Sequence, residues 1–181
     1  MGWELLDSLT TEEAQIVLRN FLEVEEKAVR EMVPAATRDG IKADFSIASI
    51  APMLVWIAGQ LKQVPIEPPS DIPDWIRKEH EKNCGWMEFD EPSKVLIFRA
   101  GYYLGEAFVR NLRGLAWGTG HPDYADKNRP VVTGFTAGME MAATTIAENM
   151  MWRINRTKSD EHAKKAIAHW LSKAPGYADS R

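Results

Sequence analysis

Arg99, Tyr103, Glu106, Arg110 and Arg113 follow one another at i, i+4, i+7, i+11 and i+14. On an α-helix those offsets draw a single stripe along the cylinder. Glu106 and Arg110 are spaced for an i,i+4 ion pair, with Arg99 about two turns away on the same side. Two chemistries fit such a stripe. It can form an Arg–Glu–Arg network that anchors a loop, or it can present guanidinium forks to a carboxylate or phosphate. Arg99, Tyr103, Glu106 and Arg110 are therefore one candidate ligand or partner site.

A second candidate is the polar segment from His121 to Arg129, where His121, Asp123 and Tyr124 put an imidazole, a carboxylate and a phenol within one loop. A third is Trp75, at the end of the run Val64–Trp75, which holds four of the ten prolines. Long irregular segments of this kind carry recognition more often than regular elements do. Trp75 and Trp86 stand in polar or turn-rich surroundings, so of the seven tryptophans these two are the expected exposed anchors.

Catalytic signatures are missing. The four histidines form no His-Glu-x-x-His set; His80 and Cys84 are one helical turn apart, and His162 and His169 are seven apart. No Gly-x-Ser-x-Gly elbow or Gly-Lys-Ser/Thr phosphate loop occurs. Nothing marks an activating partner for Cys84, the single cysteine. The sequence thus points to no catalytic residue, no metal and no cofactor.

The elements that must position these residues are mainly helical. Thr10 and Glu13 form a capping-box pattern, and Val17, Phe21, Val24, Ala28 and Met32 follow at spacings of three and four, which predicts a helix ending near Pro34. Glu23, Glu25, Glu26 and Glu31 make it acidic. A second, largely apolar helix is predicted from one of the caps Asp44, Ser46 or Ser49 to about Lys62. If Ser49 is the cap, Pro52 sits harmlessly in the first turn; an earlier cap would put it in the interior, where a proline kinks a helix.

The proline-rich run reads as an extended surface crossing into a short helix, about Trp75 to Lys82. A long central helix capped by Ser93 follows, apolar on nearly all sides, with Gly101 and Gly105 asking for a close neighbour. Leu115–Thr119 and Pro130–Phe135 predict a small antiparallel hairpin. Helices over about Ala137–Arg153 and Asp160–Lys173, the latter behind a Ser159 cap, complete the chain, with a polar tail from about residue 174. The expected fold is mainly α (α+β): five to six helices around a central buried helix, one small antiparallel β hairpin, and a single domain over residues 1–181.

Composition narrows the function classes. The 181 residues are 45% hydrophobic and 27% charged, as in ordinary globular domains, and the formal net charge is −4. With no basic run, the chain lacks the phosphate-neutralising surface that nucleic-acid binding requires. No apolar stretch reaches the roughly 20 residues needed to cross a bilayer. The first residues carry no signal-peptide pattern, so a cytoplasmic location is expected.

The segment Asp44-Phe45-Ser46-Ile47-Ala48-Ser49-Ile50 leads into a helix containing Trp56. Tyr102-Tyr103-Leu104-Gly105-Glu106-Ala107-Phe108-Val109-Arg110-Asn111 leads to Trp117-Gly118. Together these motifs, over roughly residues 40 to 135, resemble a group of small bacterial α+β proteins to which no activity is assigned. In size and acidity the chain is also similar to immunity proteins, which neutralise a toxin by binding it. The missing catalytic signatures, the negative charge balance and the two long surface segments lead to the expectation of a non-enzymatic bacterial protein with a protein partner, such as a basic toxin. The alternative is a small enzyme or anionic-ligand binder built on Arg99, Glu106 and Arg110, and a homo-oligomeric structural role is a third reading.

Overall fold

The computed structural model describes residues 6–83 and 85–176. Helix α1 (Thr11–Arg38) starts at the predicted capping box, with the Thr10 amide donating to Glu13 Oε2 at 2.8 Å and the Glu13 amide donating to Thr10 Oγ1 at 3.3 Å. It does not stop at Pro34. That proline lacks one N–H, but Val29, Met32 and Ala36 are buried in the core on both sides of it, and their burial carries the helix one turn further. The inward face also differs from the predicted one. Ala14, Leu18, Val29, Met32 and Ala36 are buried, whereas Val24 is 60% exposed.

Helix α2 (Ile47–Ala58) has Ser46 as its N-cap, so Pro52 lies inside the helix. Ser49 is not the cap; its hydroxyl donates to the Ser46 carbonyl at 2.7 Å. The helix ends at Gly59 instead of reaching Lys62, because the Lys62 amide is drawn to Ser93 Oγ at 2.8 Å. Ile50, Met53, Leu54 and Ile57 are fully buried, as the apolar run predicted.

Strand β1 (Gln63–Pro65) opens the proline-rich crossing and pairs antiparallel with β2 (Met87–Phe89), Val64 opposite Glu88. This second small sheet was not expected from the sequence. Pro65 closes its strand, a position where the missing N–H costs no ladder bond. Between the strands lie the crossing and helix α3 (Asp74–Asn83).

Helix α4 (Glu91–Asn111) is the central element, with α1, α2 and helix α5 (Ala143–Thr157) packed about it. Its N-cap is Asp90, whose carboxylate accepts from the Ser93 amide at 2.9 Å; the predicted cap, Ser93, is the third helical residue. Gly101 meets the backbone of α5, since a Cβ there would stand 2.6 Å from the Thr144 Cα. Gly105 instead accommodates a ring, with the same Cβ position 2.3 Å from the Trp117 indole.

Strands β3 (Ala116–Thr119) and β4 (Pro130–Thr133) form the predicted hairpin, Trp117 opposite Val132. Helix α5 begins six residues later than its sequence pattern implied. Ala137 has a φ of 58°, and Met141 pairs with Val132 through amide–carbonyl bonds of 2.8 and 2.9 Å, so the intervening chain is drawn against β4 before the helix can start. Helix α6 (Glu161–Leu171) follows Asp160 as its N-cap residue, while Ser159 Oγ accepts the Glu161 amide. The fold is mainly helical α+β, with six α-helices and two two-stranded antiparallel sheets among the described residues.

Candidate functional site

The α4 stripe resolves into an anchor for the turn that precedes α2. Tyr103 is fully buried. Its hydroxyl lies 2.7 Å from Ser49 Oγ and accepts the Phe45 amide at 3.1 Å. Because the Ser49 hydroxyl already donates to the Ser46 carbonyl, Tyr103 is the donor to Ser49. Phe45 has a φ of 59°, a left-handed conformation that a residue with a large side chain seldom adopts.

Three further contacts hold Phe45 there. Its ring stacks on Tyr103 with centroids 4.6 Å apart, the Arg110 guanidinium lies 4.0 Å over the ring, and its carbonyl accepts Asn111 Nδ2 at 2.7 Å. Asn111 and Ser49 were not among the sequence candidates. The available signal was the Tyr103–Ala107–Asn111 spacing of i, i+4, i+8, which puts Asn111 on the same stripe.

Glu106 is engaged on both sides. One carboxylate oxygen accepts Arg110 Nε at 2.7 Å, the other accepts Trp117 Nε1 at 3.0 Å. Trp117 stacks parallel to Tyr102 at 6.0 Å, and Phe21 of α1 meets both rings edge-on. Burial, and then the charges of Glu106 and Glu26, push the Tyr102 phenol up to about 12. Burial also raises the Tyr103 phenol, against its hydrogen bonds with Ser49 and the Phe45 amide.

Arg99 lies apart from this anchor. It faces Glu25 of α1, whose carboxyl is raised by burial and partly restored by the Arg99 charge. Arg113 is exposed at the end of the stripe. Arg99 and Arg110 therefore do not converge on one ligand, and neither these residues nor Glu106 or Tyr103 line the two concavities described, a shallow one on α1 and a larger one beside α5.

The second candidate is a well-supported loop with an exposed tip. The Gly120 amide donates to the Arg129 carbonyl and the Asn128 amide donates to the Gly120 carbonyl. Buried Asn128, in the left-handed region at φ 60°, sends its amide to the Leu6 and Leu9 carbonyls at 2.9 Å each. At the tip the His121 amide donates to Glu140 Oε2 at 3.0 Å and the Tyr124 amide to the His121 carbonyl at 3.0 Å, while the His121, Asp123 and Tyr124 side chains face outward. The Asp123 amide donates to His121 Nδ1 at 3.3 Å, the His121 and Tyr124 rings are 5.3 Å apart, and Tyr124 is 51% exposed. That cluster can offer hydrogen bonds and a ring edge to a partner.

Trp75 is the most exposed large apolar residue among the described residues, at 72%. It lies in the first turn of α3, after a crossing where Val64 and Ile66 are also exposed. Trp86 differs from expectation in being half-buried beside β2. Of the metal candidates, Cys84 and the His80 side chain lie outside the described residues. Among the described residues no three His, Cys, Asp or Glu side chains come together as a metal site, and no helix is long and apolar enough to cross a membrane.

No protein-family model, no curated protein and no solved structure matches this chain.

Proposed function

We propose that this chain is a non-enzymatic bacterial protein of the cytoplasm that works by binding another protein, with the crossing from Val64 to Trp75 as its contact face. The observation that carries the reading is Trp75, a large aromatic 72% exposed in a fold that buries most of its other apolar bulk. An exposed indole beside Val64 and Ile66 is the kind of anchor that fills a partner's pocket. From Gln63 to Ile76 the chain carries Glu67, Asp71 and Asp74 and no Lys or Arg. Such a face suits a partner with an apolar pocket and a basic rim. A toxin whose basic working surface is masked by this contact is the form the interaction takes in an immunity-type inhibitor.

The test is affinity isolation from the native host with wild type, Trp75→Ala and the triple variant Glu67→Lys/Asp71→Lys/Asp74→Lys, followed by reconstitution with the purified partner. A basic protein retained by wild type and lost by both variants is the expected result. Trp75→Ala should alter folding stability by no more than about 0.5 kcal/mol, since little of the side chain is packed. An identical partner set for wild type and both variants would refute the reading.

A further inference from the structure

Helix α5 carries Asn149, Trp152, Arg153 and Arg156 at i, i+3, i+4 and i+7, one face of the helix. That face forms a wall of a groove of about 1200 Å³, continued by Lys158 and by His162 of α6 and closed on the other side by Gln63 of β1 and Met87 of β2. No acidic residue is among the groove's described lining residues. In a chain with 26 acidic and 22 basic residues this is an unusual concentration of one sign.

The Lys158 ammonium donates to a neutral acceptor, Asn155 Oδ1, at 3.2 Å. Cations in the last turn of a helix do complement its dipole. That effect accounts for Arg156 and Lys158, but it does not require Asn149, Trp152 and Arg153 along the same face or His162 from the next helix.

Lys158 caps α5 in the left-handed conformation, φ 54° and ψ 29°, a common way for a helix to end, and it belongs to the groove's lining. Trp152, half-buried and packed 4.2 Å from the Phe89 ring, adds a rigid flat surface beside the arginines.

We infer that this groove is a binding site for a small phosphate-bearing anion, with Arg153 and Arg156 as the principal contacts and Lys158 and His162 at its rim. Guanidinium forks match phosphate oxygens in pairs, Asn149 adds a neutral donor, and the volume leaves room for more than a bare phosphate. The site shares neither Trp75 nor the acidic crossing residues, so it stands or falls separately from the partner-binding face.

The experiment is isothermal titration of the full chain with pyrophosphate, ATP, adenosine and a short single-stranded oligonucleotide. Pyrophosphate or ATP should bind at one site, more weakly as salt is raised, while adenosine does not bind; which of the two binds tighter distinguishes an inorganic from a nucleotide ligand. Arg153→Ala and Arg156→Ala should each lower affinity by about tenfold or more. Both residues are exposed, so both variants should melt like wild type. Lys158→Gly should weaken binding while raising the melting temperature, which separates loss of the site from loss of the fold. The inference is overturned if neither phosphate compound binds at millimolar concentration, if the arginine variants bind as wild type does, if adenosine binds as well as ATP, or if only the oligonucleotide binds.

Discussion

Replacing Tyr103 by Phe removes one oxygen atom and tests whether the α4 stripe is an anchor or a site. In the native fold that oxygen accepts the Phe45 amide at 3.1 Å and donates to Ser49 at 2.7 Å, in a fully buried position. Ser49 keeps its bond to the Ser46 carbonyl, so the group left stranded is the Phe45 N–H. A buried donor without a partner costs about 1–3 kcal/mol. The anchor also holds Phe45 left-handed, and relaxation of that turn returns part of an approximately 1–2 kcal/mol strain. A net loss of about 1 kcal/mol follows, or a fall of ~2–4 °C in melting temperature for a chain of this size.

Urea denaturation followed by circular dichroism, with calorimetry for the melting temperature, measures it. A double-mutant cycle adds the pairwise part. Ser49→Ala should cost about 1 kcal/mol less in the Tyr103→Phe background than in wild type, because the shared bond is already gone. Pyrophosphate and partner binding should be unchanged in Tyr103→Phe. A melting temperature within about 1 °C of wild type, or strictly additive cycle energies, would refute the anchor. Lost binding at unchanged stability would move Tyr103 into a functional site.

Gly101→Ala should lower stability by about 1–3 kcal/mol despite the better helix propensity of alanine, because the added methyl would stand 2.6 Å from the Thr144 backbone. Thermal melts will show the loss. Gly105→Ala pushes on the Trp117 ring, held by Glu106, and should in addition change the tryptophan emission spectrum. Alkaline stability has a definite sign. The folded Tyr102 phenol is raised from 10.0 to about 12, so the unfolded chain releases its proton first, and stability should fall as pH rises from about 10 towards 12. Spectrophotometric titration at 295 nm should find the tyrosinate signal of Tyr102 appearing only with unfolding, and Tyr102→Phe should flatten that part of the stability curve. Ionisation of Tyr102 near pH 10 in the folded protein would contradict its burial.

Local chemistry was legible wherever both partners lie within a turn or two. The Thr10–Glu13 box and the Glu106–Arg110 pair join residues three and four apart, and both are present; the hairpin flanking the 120–129 loop, legible from its β-leaning strands and turn residues, is present too. The two glycines of α4 were legible as close approaches, though not what approaches them: a backbone at Gly101, a ring at Gly105. Ser93 lost the cap to a local competitor, the Asp90 carboxylate three residues before it. Two other misplaced boundaries share a cause: Pro34 did not end α1 and α5 waited until Ala143 because a distant element supplied the deciding contact. The site candidates follow the same rule. A stripe on α4 could be read from spacing, but Phe45 and Ser49, which explain it, lie 58 and 54 residues away from Tyr103.

The sequence by itself determined that this is a mainly helical α+β chain with an apolar central helix, a polar stripe along it, and an exposed proline-rich crossing. Periodicity, capping and proline geometry act over a few residues, so their consequences are written locally. Only the tertiary structure decided what those features touch. It turned the stripe into the anchor of a strained Phe45, left Trp75 in solvent, and drew β1, β2, α5 and α6 around a basic groove. The helical face that lines this groove runs past the expected end of α5 at Arg153. The chain continues helical to Thr157 and caps on a left-handed Lys158, a conformation that the backbone preference of lysine does not favour.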